Sequence, residues 1–487
     1  MAVELSLETL GDLPEAVARP AYDPRAVTPG IIHFGVGNFA RAHQFLYLDR
    51  LMNDGRALDW GILGVATREP DRAVRDDLEA QDWLYTLVEQ TADDSSARVV
   101  GALAGMIGPG EGDRVIEALA DPAIRIVSMT VTEGGYFVDD EGRFDADHAD
   151  VRADASGTPR TVFGQIAEAL RQRREAGAEP FTVMSCDNLP HNGAVCRNAV
   201  VGTARLRDPA LATWIEEHVA FPNGMVDRIT PATGERERRL VREEHGVDDE
   251  RPVFCEDFIQ WVLEDRFPAG RPPFEKAGVE FVEDVTAHEM MKLRILNAGH
   301  AIIAYPAGLL GIEYAHEAME HPLVRGFLER VEREEIVPHV PSIPGTDPTA
   351  YFERCAVRFA NPKIGDTIRR LCFDGSNRQP KFVVPTIRDR LLAGKPVRGL
   401  ALESALWCRY CMGTDEEGRV IEPNDPAWSE LHALAERAKH DPAAWLTLGE
   451  VYGDLGGNDA FARSFGDALR SLLERGTAAT LKAYLPG

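Results

Sequence analysis

No stretch of this 487-residue chain holds the roughly 18 consecutive apolar residues that a membrane-spanning helix needs. Its opening, MAVELSLETLGDLPEAVARP, lacks the basic start and apolar run of a signal peptide. Basic residues are in deficit: 53 Lys and Arg stand against 79 Asp and Glu, for a net charge of −26. Such a surface repels phosphate backbones and anionic lipid, so nucleic acid and membranes are set aside as partners. Cysteines number only seven. That is too few for a disulfide framework at this length, and the odd count fits a reducing compartment. The expectation is a cytoplasmic protein, monomeric or a small homo-oligomer. Cys408 and Cys411 form one C-x-x-C, but no second such pair and no H-x-x-x-H completes a four-ligand zinc site. The pair does not open a helix after a strand, as a redox motif would. Both read as buried helix cysteines. Repeats and low-complexity segments are also absent.

The length implies two or three domains. Residues 31–36, IIHFGV, form a compact apolar run with glycine near its end, at Gly35, which predicts a buried strand. A helix is expected over 39–52, where Phe45, Leu48, Leu51 and Met52 recur at helical spacing. GILGVA (61–66) is a second strand, followed by a helix opening near Asp71. Residues 84–89 and 98–103 suggest an antiparallel pair. AIRIVSMTVT (123–132) is the strongest strand signal, and PFTVMS (180–185) follows a helix near 159–175. Strands alternating with helices predict an open parallel sheet covered on both faces. After about 285 the strand signals fade. Helices are expected over 288–304, 323–335, 348–358, 363–371, 384–393, 399–411, 426–437 and 458–484. The fold class is thus α/β, with a Rossmann-like domain over 1–284 and a mostly helical domain over 285–487.

One predicted helix carries unusual residues. In MMKLRILNAGHAIIAYPAG, Lys292, Asn297 and His300 interrupt an apolar rod. At 100° per residue, Asn297 lies about 140° and His300 about 80° round from Lys292, so the three share one side. Glu289 lies on the same side, one turn earlier. Taken singly, a lysine in an apolar helix snorkels and a histidine is a bonded core residue. Together they point to a site. A buried lysine is costly as a cation, so its pKa falls toward the range in which it accepts a proton, as a general base for an alcohol must.

Three loops after strands add to this. Gly35-Val36-Gly37-Asn38-Phe39-Ala40 is a G-x-G-x-x-A between a strand and a helix. The first glycine allows a tight turn, the second lets backbone approach a pyrophosphate, and the small third residue lets helix pack on strand. The cofactor contacts expected there fall on Gly35, Gly37, Asn38 and Phe39. The second strand ends in Ala66-Thr67-Arg68-Glu69-Pro70-Asp71. A carboxylate such as Glu69 suits the ribose 2′-hydroxyl of NAD, whereas Arg68 suits the 2′-phosphate of NADP. The acid favours NAD. Thr132-Glu133-Gly134-Gly135-Tyr136 follows the next strand and places Thr132 and Glu133 at a ligand crevice. Ser185-Cys186-Asp187-Asn188-Leu189-Pro190-His191-Asn192-Gly193 reads first as a polar turn, although an asparagine there can also donate to a substrate oxygen.

Taken together, GVGNFARAHQ, TEGGY, SCDNLPHNG, FPNGMVDRITP, KLRILNAGHA, DGSNRQPKF and ALWCRYC resemble, in order, motifs of the polyol-specific long-chain dehydrogenases. The resemblance runs from about residue 30 to 430. It implies a metal-independent enzyme that interconverts D-mannitol and D-fructose with NAD, its site in a cleft between a Rossmann-like and a helical domain. By the same resemblance Lys292 is the general base, Asn188 and Asn297 hold the reacting oxygen, His300 orients the substrate, and Glu289 links the lysine to solvent. Asp227, Arg370 and Arg378 fall where such enzymes bind sugar hydroxyls. One departure is Ala40, where many members carry histidine. It bears on loop packing more than on chemistry. Three readings stay open beside this one: a dehydrogenase for D-arabinitol or sorbitol, a hexuronate reductase, and a dinucleotide-binding sensor without turnover.

Overall fold

A computed structural model describes residues 2–138 and 143–485. The chain divides into two compact units, Met1–Thr286 and Ala287–Gly487. In the first, five strands form one parallel sheet: β1 (Pro29–Phe34), β2 (Gly61–Val65), β3 (Leu103–Ile107), β4 (Ile126–Met129) and β5 (Thr182–Ser185). They lie in the order β3-β2-β1-β4-β5. All four pairings are parallel. Alternate side chains of these strands go to opposite faces, and both faces are buried. Ile31, Ile126 and Met184 enter one apolar cluster, with Phe45, Leu48 and Leu51 of the helix after β1. Ile32, Phe34, Val127 and Val183 enter the other, with Phe163, Ile166 and Leu170. The expected parallel sheet with helices on both sides is therefore present.

Detail departs from expectation where a local backbone feature intervenes. The helix expected over 39–52 is two segments, Asn38–Ala42 and Gln44–Asn53, separated at His43, whose φ of −119° and ψ of −88° are not helical. The antiparallel pair is Tyr85–Gln90 with Ser95–Val100, and Val253–Glu256 adds a third strand to it. A further three-stranded sheet joins Gly224–Asp227, Gln260–Glu264 and Glu280–Val282. These later strands span three to five residues and carry buried acids at their ends, Asp227, Glu256 and Glu264. Such short runs give little alternation to read.

The second unit is helical. Arg398–Tyr410 packs against Asp459–Arg475 and against Ala298–Leu309, with Ile302, Ile303, Leu406, Trp407, Phe461 and Phe465 in one apolar core. The helix expected over 458–484 is divided at Gly476, whose φ is +78°. That expected over 363–371 is a tight turn and a short helix, Ile368–Leu371, separated at Gly365 with φ +62°. The helix Gly375–Phe382 was not expected at all.

The most consequential difference lies at the lysine. Thr286–Met291 is α-helical, Lys292–Asn297 is a π-turn, and α-helix resumes over Ala298–Leu309. A π-turn shifts bonding from i→i+4 to i→i+5 and re-aims everything beyond it, so the 100° angles do not carry from Lys292 to His300.

Candidate functional site

The loops singled out in the first unit all leave the carboxyl edge of the parallel sheet. Strand order reverses between β1 and β4, and the crevice outside the strand ends at such a switch point is where open α/β sheets bind ligands. The loop after β1 turns at Gly35, with φ +89°; a Cβ there would lie 2.2 Å from the Thr130 carbonyl oxygen. Only glycine fits. Gly37 has no neighbour within 4 Å of the same position, which leaves its backbone open to a ligand. This cradle fits a dinucleotide pyrophosphate. The Asn38 side chain is turned inward: its amide nitrogen donates to the Pro231 carbonyl (3.3 Å) and Thr233 Oγ1 (3.0 Å), and its oxygen accepts from Arg41 (2.9 Å). Phe39 stacks on His43, ring centres 5.1 Å apart.

A hydrogen-bonded chain fixes this turn from below. Thr130 Oγ1 donates to the Gly35 carbonyl at 2.7 Å, which uses its only proton. The contact of 3.1 Å from His33 Nε2 to that hydroxyl then requires Nε2 to carry the ring proton. Nδ1 must accept, and Ser128 Oγ, 2.8 Å away, donates to it. Burial holds His33 well below its ordinary value, at about 3, so the neutral ring that this chain needs is the stable one.

The loops after β4 and β5 are clamped together by Asp187. Its buried carboxylate accepts the N–H of Val131 (3.0 Å) and of Thr132 (2.9 Å) and the Tyr136 hydroxyl (2.6 Å). Thr132 needs the restraint: its φ of 68° and ψ of 162° lie in a region occupied almost solely by glycine. The Glu133 side chain lies outside the described residues. Asn188 itself is exposed. One residue group ties this loop to the strand of Asp227: the Asn192 amide donates to the carbonyls of Asp187 (3.1 Å) and Gly224 (2.8 Å) and accepts the Gly224 N–H (3.0 Å). Asp227 ends that strand and is 4% exposed. Past β2, Arg68 and Glu69 are both exposed. Each is paired along the chain: Arg68 with Asp71 at 3.1 Å, and Glu69 with Arg72 at 2.7 Å.

In the second unit Glu289 is 6% exposed and Lys292 7%, while Asn297 and His300 are half-buried. The π-turn between them is anchored through buried Arg294, which donates to the His339 carbonyl and pairs with Asp389, both at 2.7 Å. His300 lies on Phe359, ring centres 4.3 Å apart. Arg370 and Arg378 come from neighbouring short helices. Arg370 is exposed and donates through Nε to Asp366 at 2.5 Å. Arg378 donates to the Leu371 carbonyl at 3.3 Å. Cys408 and Cys411 are buried, and burial pushes both thiols up. Among the described residues no helix is long and apolar enough to cross a membrane.

Two family models match consecutive parts of the chain: a mannitol dehydrogenase Rossmann domain over residues 29–276 and a mannitol dehydrogenase C-terminal domain over 284–473. The chain belongs to the mannitol dehydrogenase family. It is 56% identical over 474 residues to a mannitol 2-dehydrogenase of Cereibacter sphaeroides, covering 96% of this chain and 99% of the relative. A mannitol 2-dehydrogenase of Pyricularia oryzae is 38% identical over 499 residues, with 100% and 99% covered. Among solved structures, a ternary complex of Pseudomonas fluorescens mannitol 2-dehydrogenase with NAD and D-mannitol superposes with a TM-score of 0.89 at 43% identity over 99% of each chain. A substrate-free D-sorbitol dehydrogenase gives 0.91 at 39% identity, covering 98% of this chain and 100% of its own.

Among the residues that hold these candidates in place, the sequence does not single out His33, Thr130, Asp187, Asn192 or Arg294. Asp187 carried a signal, since it adjoins Asn188 after a buried strand. His33 carried a weaker one, as a lone polar residue inside IIHFGV.

Proposed function

We propose that this member of the family oxidises D-mannitol to D-fructose with NAD, and catalyses the reverse reduction, without a metal. The observation that carries the reading is Lys292, buried on a π-turn of an apolar helix that also bears Asn297 and His300. Likeness to relatives named mannitol 2-dehydrogenase, one of them solved with NAD and D-mannitol, supports the substrate and the cofactor.

The backbone at Gly35, Gly37, Asn38 and Phe39 would hold the pyrophosphate of NAD, with Glu69 and Arg68 toward the ribose and Thr132 and Glu133 along the crevice. Bound NAD supplies the hydride acceptor. Neutral Lys292 takes the proton from the C2 hydroxyl as hydride leaves C2. The amide N–H groups of Asn188 and Asn297 donate to the oxygen as negative charge builds on it, the task a zinc ion performs in other alcohol dehydrogenases. His300 orients the substrate, and Asp227, Arg370 and Arg378 bind the remaining hydroxyls. Glu289, one turn before the lysine, passes the proton toward solvent. In reduction the protonated lysine donates to the ketose carbonyl.

The likeness to a D-sorbitol dehydrogenase favours a second reading, in which another hexitol, or D-arabinitol, is the better substrate. Initial rates with D-mannitol, D-sorbitol, D-arabinitol and D-fructose, each with NAD(H) and NADP(H), decide between them. Absence of NAD-linked mannitol turnover refutes the first reading, and absence of any turnover leaves a dinucleotide sensor.

A further inference from the structure

Glu332 is fully buried in the second unit, at the start of a second π-turn, Glu332–Ile336. That turn packs against the π-turn of Lys292–Asn297. No protein group hydrogen-bonds either carboxyl oxygen. A buried acid with no partner is costly, and a native structure that keeps one calls for a reason. Its surroundings suggest the reason. A Cβ on Gly299 would lie 3.2 Å from Glu332 Oε1 and 3.1 Å from the Phe359 ring, so the carboxyl and that ring together fill the notch that the glycine leaves. Gly299 follows Asn297 by two residues and precedes His300, whose ring rests on the same Phe359.

We propose that Glu332 is a positioning residue for the reaction: its carboxyl, wedged against Gly299 and Phe359, sets the turn that presents Asn297 and His300. Burial, with no charged neighbour to offset it, pushes this carboxyl well above the usual range, so it acts as a neutral, shape-filling acid. An amide of the same shape therefore serves in its place, whereas a smaller side chain does not. The inference rests on the role given to His300 above.

Steady-state kinetics with D-mannitol and NAD test it. Glu332→Ala is expected to raise the polyol KM and lower kcat by about tenfold overall, roughly 1.4 kcal/mol, with NADH affinity unchanged because the dinucleotide loops are untouched. Glu332→Gln restores wild-type KM, and Glu332→Asp, which withdraws the carboxyl, behaves like the alanine variant. Gly299→Ala, which drives a methyl toward Oε1 and the ring, impairs turnover by itself. Combined with Glu332→Ala it recovers part of that loss, a coupling that independent sites do not show. Strictly additive effects in the double variant, or Glu332→Ala and Glu332→Asp within twofold of wild type, overturn the proposal. Where an alanine variant fails to fold, the aspartate and glutamine pair decides. His300→Ala separates the two readings: if it abolishes turnover while the Glu332 variants are silent, only the positioning role falls. If it is silent itself, the assignment of His300 fails first and takes this inference with it.

Discussion

Replacing Asp187 with asparagine tests the clamp between the loops after β4 and β5. The carboxylate accepts hydrogen bonds from Val131, Thr132 and Tyr136, at 3.0, 2.9 and 2.6 Å. An amide keeps one oxygen and turns the other position into a donor facing donors. At least one bond to a charged acceptor is lost, at about 1.5–3 kcal/mol, and one buried donor is left opposed, at about 1–3 kcal/mol. Some of this returns if Thr132 relaxes from its glycine-like conformation, which costs about 1–3 kcal/mol to hold. The net loss is about 2–4 kcal/mol, or a fall in Tm of about 4–8 °C for a unit of this size. Thermal unfolding followed by tryptophan fluorescence measures it, and NADH titration reads the crevice. Binding should weaken by about tenfold, since the loop bearing Thr132 is no longer held. Thr132→Gly supplies the control: glycine adopts the conformation freely, so this change should recover part of the Tm in the Asp187→Asn background. An Asp187→Asn protein with wild-type Tm and wild-type NADH affinity would refute the clamp.

Lys292→Ala should cut turnover by several orders of magnitude while NADH still binds, because proton transfer is lost and the Gly35 loop is untouched; activity within tenfold of wild type removes Lys292 as the base. Prolonged dialysis against a strong chelator should leave activity intact, since lysine and amide groups do the work assigned to them; loss that zinc restores overturns the mechanism. Glu69→Lys should raise efficiency with NADP and lower it with NAD, by exchanging a 2′-phosphate repeller for an attractor, and an unchanged ratio directs the same test to Asp71. Glu403, buried with Gln379 donating to it at 2.6 Å, is pushed up to about 8 by burial. Below pH of about 4.5 both folded and unfolded forms are protonated and nothing is lost. From there to about pH 8 the unfolded chain alone ionises, so stability falls by up to about 1.4 kcal/mol per pH unit. Glu403→Gln should flatten that slope in urea unfolding series; an identical slope shows the group to be ionised in the fold.

Much of the first unit was legible because its strands are buried on both faces. IIHF, GILGV and IVSM are near-continuous apolar runs interrupted only by His33 and Ser128, and such near-continuity is the mark of a parallel strand under helices. The glycine loop was legible for a different reason: Gly35 occupies a place where a side chain would strike Thr130, and sterics of that kind leave a fixed residue at a fixed spacing. The strands after residue 220 were not legible. Gly224–Asp227 and Val253–Glu256 are four residues each, and their buried acids hide the apolar pattern. Asp227 illustrates the cost, since it entered only through resemblance to a family motif, not through any strand signal.

The helix of Lys292 shows the limit of periodicity more sharply. Composition alone identified it as buried and polar-bearing, and Lys292 and Glu289 are indeed 7% and 6% exposed. Its internal geometry was out of reach, because KLRILN reads as ordinary helix: no proline, no glycine and no break in apolar spacing marks the π-turn. The turn is instead compatible with tertiary ties that sequence does not display, namely Arg294 bound to the His339 carbonyl and to Asp389, and a second π-turn packed alongside. A π-turn widens the helix by one residue in the bonding pattern, and such insertions recur at functional sites. Here it falls between the lysine and His300, so the spacing that first drew attention to the three residues is not the spacing at which the protein presents them. Residue type marked the candidate residues, and packing from elsewhere in the unit set their aim.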